Sequence, residues 1–287
     1  MKRIILTFIL MTCLVSAWTV PDSEAFQIIT REMMEKEVVT KTDLIRTVDN
    51  FIVLFDTSSS FNEMVPGRNV TKIQAARNGL KERNAWFPEL GYRAGIYTYT
   101  SGSFNEVVGM QPYVRETFAV GIDQLPDMGR GATMLQAGLS GLRKVIDGLS
   151  GKTAVIMFTD GGFNIIEGPK LPLQIAQEIV KDHDVSFYLI SSATDKVNAN
   201  LLKAVSTINA SSRVIPIQAF LDNPQYLSGA LYTVKTTSYE RLKPVTQVVG
   251  VVTNPVLFDY NDAAIRGEFS DGLDRLGDYL RGNLNAY

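Results

Sequence analysis

Two carboxylates and three hydroxyls stand where they could build one oxygen-lined site. Asp56-Thr-Ser58-Ser-Ser60 follows the apolar run Phe51-Ile-Val-Leu-Phe55, and a second carboxylate, Asp160, follows Thr153-Ala-Val-Ile-Met-Phe-Thr159. Between them Gly129-Arg-Gly-Ala-Thr133 sets Thr133 just ahead of an amphipathic stretch. A chain extended over 56 to 60 points positions 56, 58 and 60 the same way. Carboxylate and hydroxyl oxygens are hard donors, and Mg²⁺ prefers such a set, keeps several waters and takes few direct carboxylates. One Cys and one His allow neither a disulfide within the chain nor a zinc site of His and Cys. Asp-x-Ser-x-Ser alone also reads as a turn that caps a helix. The metal reading gains its weight from Thr133 and Asp160, which add a hydroxyl and a second carboxylate at the same rim of the sheet.

The elements of that sheet are legible in the hydrophobic pattern. The runs 51–55 and 153–158 have the continuous apolar character of strands buried on both faces. Tyr92 to Thr100 and Glu106 to Tyr113 read as an edge hairpin turned by Ser101-Gly-Ser103, its alternating aromatics explained by core and cross-strand packing. Val185 to Ile190 and Arg213 to Phe220 read as further strands, and 71–84, 136–149, 172–182, 195–208 and 222–232 as helices. Strands alternating with helices predict an α/β fold: a doubly wound, mostly parallel sheet with helices on both faces. Ligands of such sheets sit at the carboxyl ends of the strands, where Asp56 and Asp160 fall.

Phe51 to Ser60, Thr133 and Phe158-Thr-Asp160-Gly-Gly162 together resemble the metal-ion-dependent adhesion site of von Willebrand factor A (VWA) domains, with all five positions present. The resemblance spans about 47–235 and implies a Rossmann-like VWA fold. It implies that Ser58, Ser60 and Thr133 contact a divalent cation, Mg²⁺ or else Mn²⁺ or Ca²⁺, with Asp56 and Asp160 acting directly or through water. A carboxylate of the ligand would complete the shell.

The two ends carry other signals. Lys2 and Arg3, the apolar stretch Ile4 to Leu14 and the small residues Val15-Ser-Ala17 read as a signal peptide over 1–17, cleaved before Trp18. Leu10-Met-Thr-Cys13 resembles a bacterial lipobox, with Thr12 departing from it, so a lipid-modified Cys13 is the lesser reading. Residues 18–46 read as a polar lead-in with edge strands near Val38-Val39 and Leu44-Ile45, and 236–244 as a linker. Within 245–287, Val256-Leu-Phe-Asp-Tyr-Asn-Asp-Ala-Ala-Ile265 and the helix Phe269 to Asn283 resemble the opening strand and helix of an OmpA-like peptidoglycan-binding domain. Less than half of that family's domain is covered, and its diaminopimelate-gripping part has no counterpart here.

Function classes narrow accordingly. With 28 basic against 30 acidic residues there is no basic footprint for nucleic acid. The expected function is an exported cell-envelope binding protein, in the periplasm or associated with the outer membrane, and not an enzyme. It would capture a protein or glycan carboxylate through the cation, with peptidoglycan as a partner if the C-terminal domain is completed. The alternative is a metal-dependent hydrolase using Asp56 on a phosphoester. Against it stands a ligand set poor in carboxylates, with Arg130 the sole basic companion near the motifs.

Overall fold

The computed structural model describes residues 26–163, 170–223, 225–253, 263–264 and 267–282. The expected signal peptide, Cys13, Trp18 and the strand beginning at Val256 lie outside the described residues. The chain divides into two compact units, one of Asp43–Lys235 and one of the flanking segments.

The central unit is a six-stranded sheet in the order β4-β3-β2-β5-β6-β7. Its strands are β2 (Asn50–Asp56), β3 (Arg93–Thr100), β4 (Ser103–Pro112), β5 (Thr153–Thr159), β6 (Val185–Ser191) and β7 (Arg213–Pro216). Every pairing is parallel except that of the edge strand β4 with β3. The doubly wound, mostly parallel α/β fold class expected from the sequence is the one observed.

β2 explains why the apolar runs are continuous. Phe51, Val53 and Phe55 point into one core with α1 (Lys72–Asn84), α2 (Arg115–Asp123), α6 (Ile217–Asp222) and α7 (Ser228–Leu231). Ile52 and Leu54 point into the other with α3 (Leu135–Ile146), α4 (Pro172–Asp182) and α5 (Lys196–Ser206). Each fully buried side chain of this kind contributes roughly 1.5–3 kcal/mol. A strand so covered on both sides makes a rigid mount for the Asp56 carboxylate at its end and for the serine turn beyond.

Some elements differ from the sequence reading. The apolar run 213–220 is strand only to Pro216, which caps α6, and Ile217 and Phe220 bury one helical face. The helix expected over 222–232 shrinks to α7. α2 has no counterpart in the sequence reading; its Phe118 and Ile122, four apart, are both buried. The helix read over 136–149 is α3, which ends at Ile146.

β1 (Phe26–Arg46) and β8 (Tyr232–Thr253) form a two-stranded sheet, most of which belongs to the flanking unit. Lys36 pairs with Glu240 at 2.8 Å, Arg241 with Glu37 at 3.0 Å, and Thr40 meets Ser238 at 3.3 Å. Residues 236–244, expected as a linker, thus lie within a strand, and most of the lead-in is a strand as well. A C-terminal helix, α8 (Gly267–Gly282), also occurs. Among the described residues no helix is long and apolar enough to cross a membrane.

Candidate metal centre

The five residues named from the sequence meet at the carboxyl ends of β2 and β5, the two central strands. Asp56 ends β2, and its Oδ1 accepts the Ser58 N–H at 2.9 Å. That bond folds the chain into the short 3-10 turn Ser59–Asn62 and turns the Ser58 and Ser60 hydroxyls together, Oγ to Oγ 3.0 Å. Thr133, just before α3, brings its Oγ1 within 2.7 Å of Ser58 Oγ and 3.0 Å of Ser60 Oγ. Ser60 donates to Asp160 Oδ2, and Asp160 Oδ1 accepts the Gly162 N–H at 3.0 Å.

Two glycines permit this convergence. A Cβ on Gly129 would lie 1.9 Å from the Ser58 carbonyl oxygen, so only glycine lets the 129–133 loop lie against the serine turn. Asn62 fastens that loop, donating from Nδ2 to Gly129 O at 2.9 Å and accepting the Gly129 N–H at 2.7 Å. A Cβ on Gly162 would stand 2.8 Å from Thr133 Cβ. Both glycines therefore belong to the site although neither offers it a side chain.

The three hydroxyl oxygens form a triangle with edges of 2.7, 3.0 and 3.0 Å. An octahedral cation with bonds of ~2.1 Å has ligand edges of about 3.0 Å, close to the lengths of the hydrogen bonds that join these hydroxyls. Three neutral oxygen donors so placed could share one face of a divalent cation's shell. Among the described residues no cluster of three or more His, Cys, Asp or Glu offers an alternative site.

Asp56 is wholly buried, and this decides its role. Its Oδ2 accepts the Tyr99 hydroxyl at 3.0 Å, while Tyr99 Oη and Thr159 Oγ1 lie 2.8 Å apart. Thr159 Oγ1 accepts the Gly161 N–H at 3.0 Å. A run of hydrogen bonds thus links the Gly161 N–H through Thr159 and Tyr99 to the carboxylate. Burial pushes the Asp56 carboxyl up to about 7, the Asp160 charge adds to this, and the Ser58 and Tyr99 hydrogen bonds oppose it. Burial, followed by the Asp56 charge, holds the Tyr99 phenol well above its ordinary value, so it remains a donor.

Sequence reasoning misses Tyr99, Thr159 and Asn62. Packing, the role expected for the aromatics of 92–99, does describe Tyr92 and Tyr97: Tyr92 meets Phe51 edge-on at 5.6 Å and Tyr97 stacks on Phe104 at 5.3 Å. Tyr99 adds a hydrogen bond into the site that the alternating pattern does not announce. His183 caps α4, at the end of the helix opposite the strand termini that carry the site, and pairs with Asp147 at 2.9 Å.

No protein-family model matches the chain, and no curated protein sequence matches it. Solved structures do. The PilB minor pilin from Streptococcus sanguinis aligns with a TM-score of 0.50 and 11% identity over 64% of this chain and 61% of the pilin. Proximal thread matrix protein 1 from the mussel byssus, described with a zinc-occupied MIDAS motif, gives 0.49 and 18% over 70% of this chain and 50% of its own. The SpRpn10 VWA domain gives 0.46 and 16%, over 61% of this chain and 93% of that domain. The chain spans less than two thirds of the length of the first two. At such identities the likeness to the pilin is one of fold alone, and that fold is the doubly wound α/β arrangement described above.

Proposed function

We propose that this chain is an exported cell-envelope binding protein whose α/β domain captures an acidic ligand through a divalent cation held by Ser58, Ser60 and Thr133. The observation that carries this reading is the convergence of three hydroxyls and two carboxylates at the ends of β2 and β5, a hard-oxygen set that suits a small divalent cation. The cation, when bound, would supply a positive charge that an anionic ligand can complete.

The protein's own residues prepare that charge. Hydroxyls that give their lone pairs to a cation become stronger donors and need acceptors behind them. Asp160 accepts the hydrogen bond of the Ser60 hydroxyl, and Asp56 fixes Ser58 through its backbone N–H. Because the three direct donors are neutral, the cation stays under-neutralised, which favours a carboxylate from a partner. The charged lead and apolar run of residues 1–17 support export, and the likeness of 245–287 to an OmpA-like segment supports association with the cell envelope.

The hydrolase reading fits less well. Asp56 is fully buried, with one oxygen held by Ser58 N–H and the other by Tyr99, leaving no path to a phosphoester. Thermal unfolding of the purified chain with EDTA and with excess Mg²⁺ tests the binding reading. Mg²⁺ should raise the midpoint by mass action, and Asp160→Ala should remove the rise while keeping the circular dichroism of the fold. Equal melting in both buffers would remove the basis for the proposal.

A further inference from the structure

The loop that carries Thr133 also carries an arginine that the metal reading leaves unused. Arg130 has its backbone fastened on both sides. Its N–H donates to Thr57 O at 2.7 Å, and its carbonyl accepts the Thr100 hydroxyl at 2.9 Å. The preceding Gly129 is gripped twice by Asn62, and the Gly131 carbonyl accepts both the N–H and the hydroxyl of Ser59, at 2.9 and 2.8 Å. The side chain, in contrast, is exposed.

Its guanidinium has no partner among the described residues. Every other described arginine of the Asp43–Lys235 unit donates to a carboxylate or a carbonyl. The nearest acidic residue in sequence, Asp127, is already taken by Arg77. A planar fork of donors on an anchored backbone, rooted beside the serine turn and left without an anion among the described residues, is available to one supplied from outside.

We propose that Arg130 reads a second anionic group on the ligand, so that the cation site prefers an acidic polypeptide segment with neighbouring carboxylates. This rests on the proposed cation site. Same-facing side chains of an extended polypeptide repeat every ~7 Å. One carboxylate can then meet the cation while the next meets a side chain rooted beside Ser58. Acidic glycans such as hyaluronan carry their carboxylates a whole disaccharide apart, a wider spacing than that of same-facing residues on an extended polypeptide.

Arg130 also makes a prediction of opposite signs. A guanidinium beside a divalent cation repels it weakly, so removing the charge should leave Mg²⁺ binding equal or tighter while weakening ligand binding. A residue that merely held the loop in shape would weaken both.

The experiment uses the full purified chain, poly-L-aspartate and hyaluronan fragments of equal carboxylate number, with Mg²⁺ or EDTA at low salt. The wild type with Mg²⁺ should bind polyaspartate about tenfold tighter than hyaluronan. Arg130→Gln should lose about tenfold in polyaspartate affinity, erase the preference and keep its Mg²⁺ thermal shift, and Arg130→Lys should fall between. Unchanged polyaspartate binding in Arg130→Gln, or a loss of its Mg²⁺ shift, would overturn the role of Arg130 alone. A wild-type chain that retains neither polymer in a Mg²⁺-dependent way would overturn it together with the cation-mediated function.

Discussion

Tyr99 stands directly across the parallel β2–β3 pair from Asp56, and its phenol donates to Asp56 Oδ2 at 3.0 Å in a wholly buried pair. The bond holds in place the carboxylate whose other oxygen shapes the serine turn. Tyr99→Phe leaves the ring's packing and removes only the donor. It should cost about 1–3 kcal/mol, the penalty for a buried acceptor that loses its partner, read as a lower urea midpoint. An unchanged midpoint and an unchanged Mg²⁺ shift would mean that the bond matters little.

Asp56 should make the cation-free protein less stable as pH rises. An unfolded Asp ionises near ~3.9, whereas the folded carboxyl is pushed up to about 7 by burial. Between those values the folded state holds a proton that the unfolded state has lost. Stability is therefore fully present below pH ~4 and is lost as pH rises through about 7, by up to roughly 4 kcal/mol. Urea unfolding in EDTA at pH 4.5, 6 and 7.5 reads this slope. Asp56→Asn should flatten it, and Mg²⁺ should restore stability at pH 7.5. A wild-type profile as flat as that of Asp56→Asn would contradict the prediction.

Gly129→Ala drives a methyl into the Ser58 carbonyl, 1.9 Å from the ideal Cβ position. The loop must withdraw, carrying Thr133 from the other two hydroxyls. The expected outcome is loss of the Mg²⁺ shift with the sheet intact by circular dichroism. Retention of the full shift would show that the loop can yield without disturbing the triangle.

How much the sequence reveals depends on what each element buries. β2 and β5 are legible because covered strands read as continuous apolar runs, and Asp56 and Asp160 are legible because each closes one. The run Val214 to Phe220 fits strand and helix alike, and only the buried spacing of Ile217 and Phe220 separates them. The β1–β8 ribbon reads as lead-in and linker because the half-covered positions of β1, which alternate with exposed ones over 31–40, hold Arg31, Glu35 and Glu37 as readily as Met33 and Val39, so no apolar alternation marks them. Tyr99 is hidden for another reason: its bond depends on the register between β2 and β3, which no local pattern encodes.

That ribbon should also be the less protected part. Two strands without a third seldom hold in water on their own. Hydrogen exchange should be faster at Val234 to Leu242 than at Phe51 to Phe55, and limited proteolysis should leave a core close to Asp43–Lys235. Equal protection of the two segments would require cover for the ribbon.

The central claim is a cation on three hydroxyls, and Mn²⁺ titration followed by electron paramagnetic resonance tests it most directly. The free-ion signal should fall until about one Mn²⁺ is bound per chain, Mg²⁺ in excess should release it, and Ser58→Ala or Thr133→Ala should weaken binding at least tenfold by removing one of three direct donors. A wild-type chain that leaves the free-ion signal unchanged, or variants that bind as the wild type does, would contradict the account.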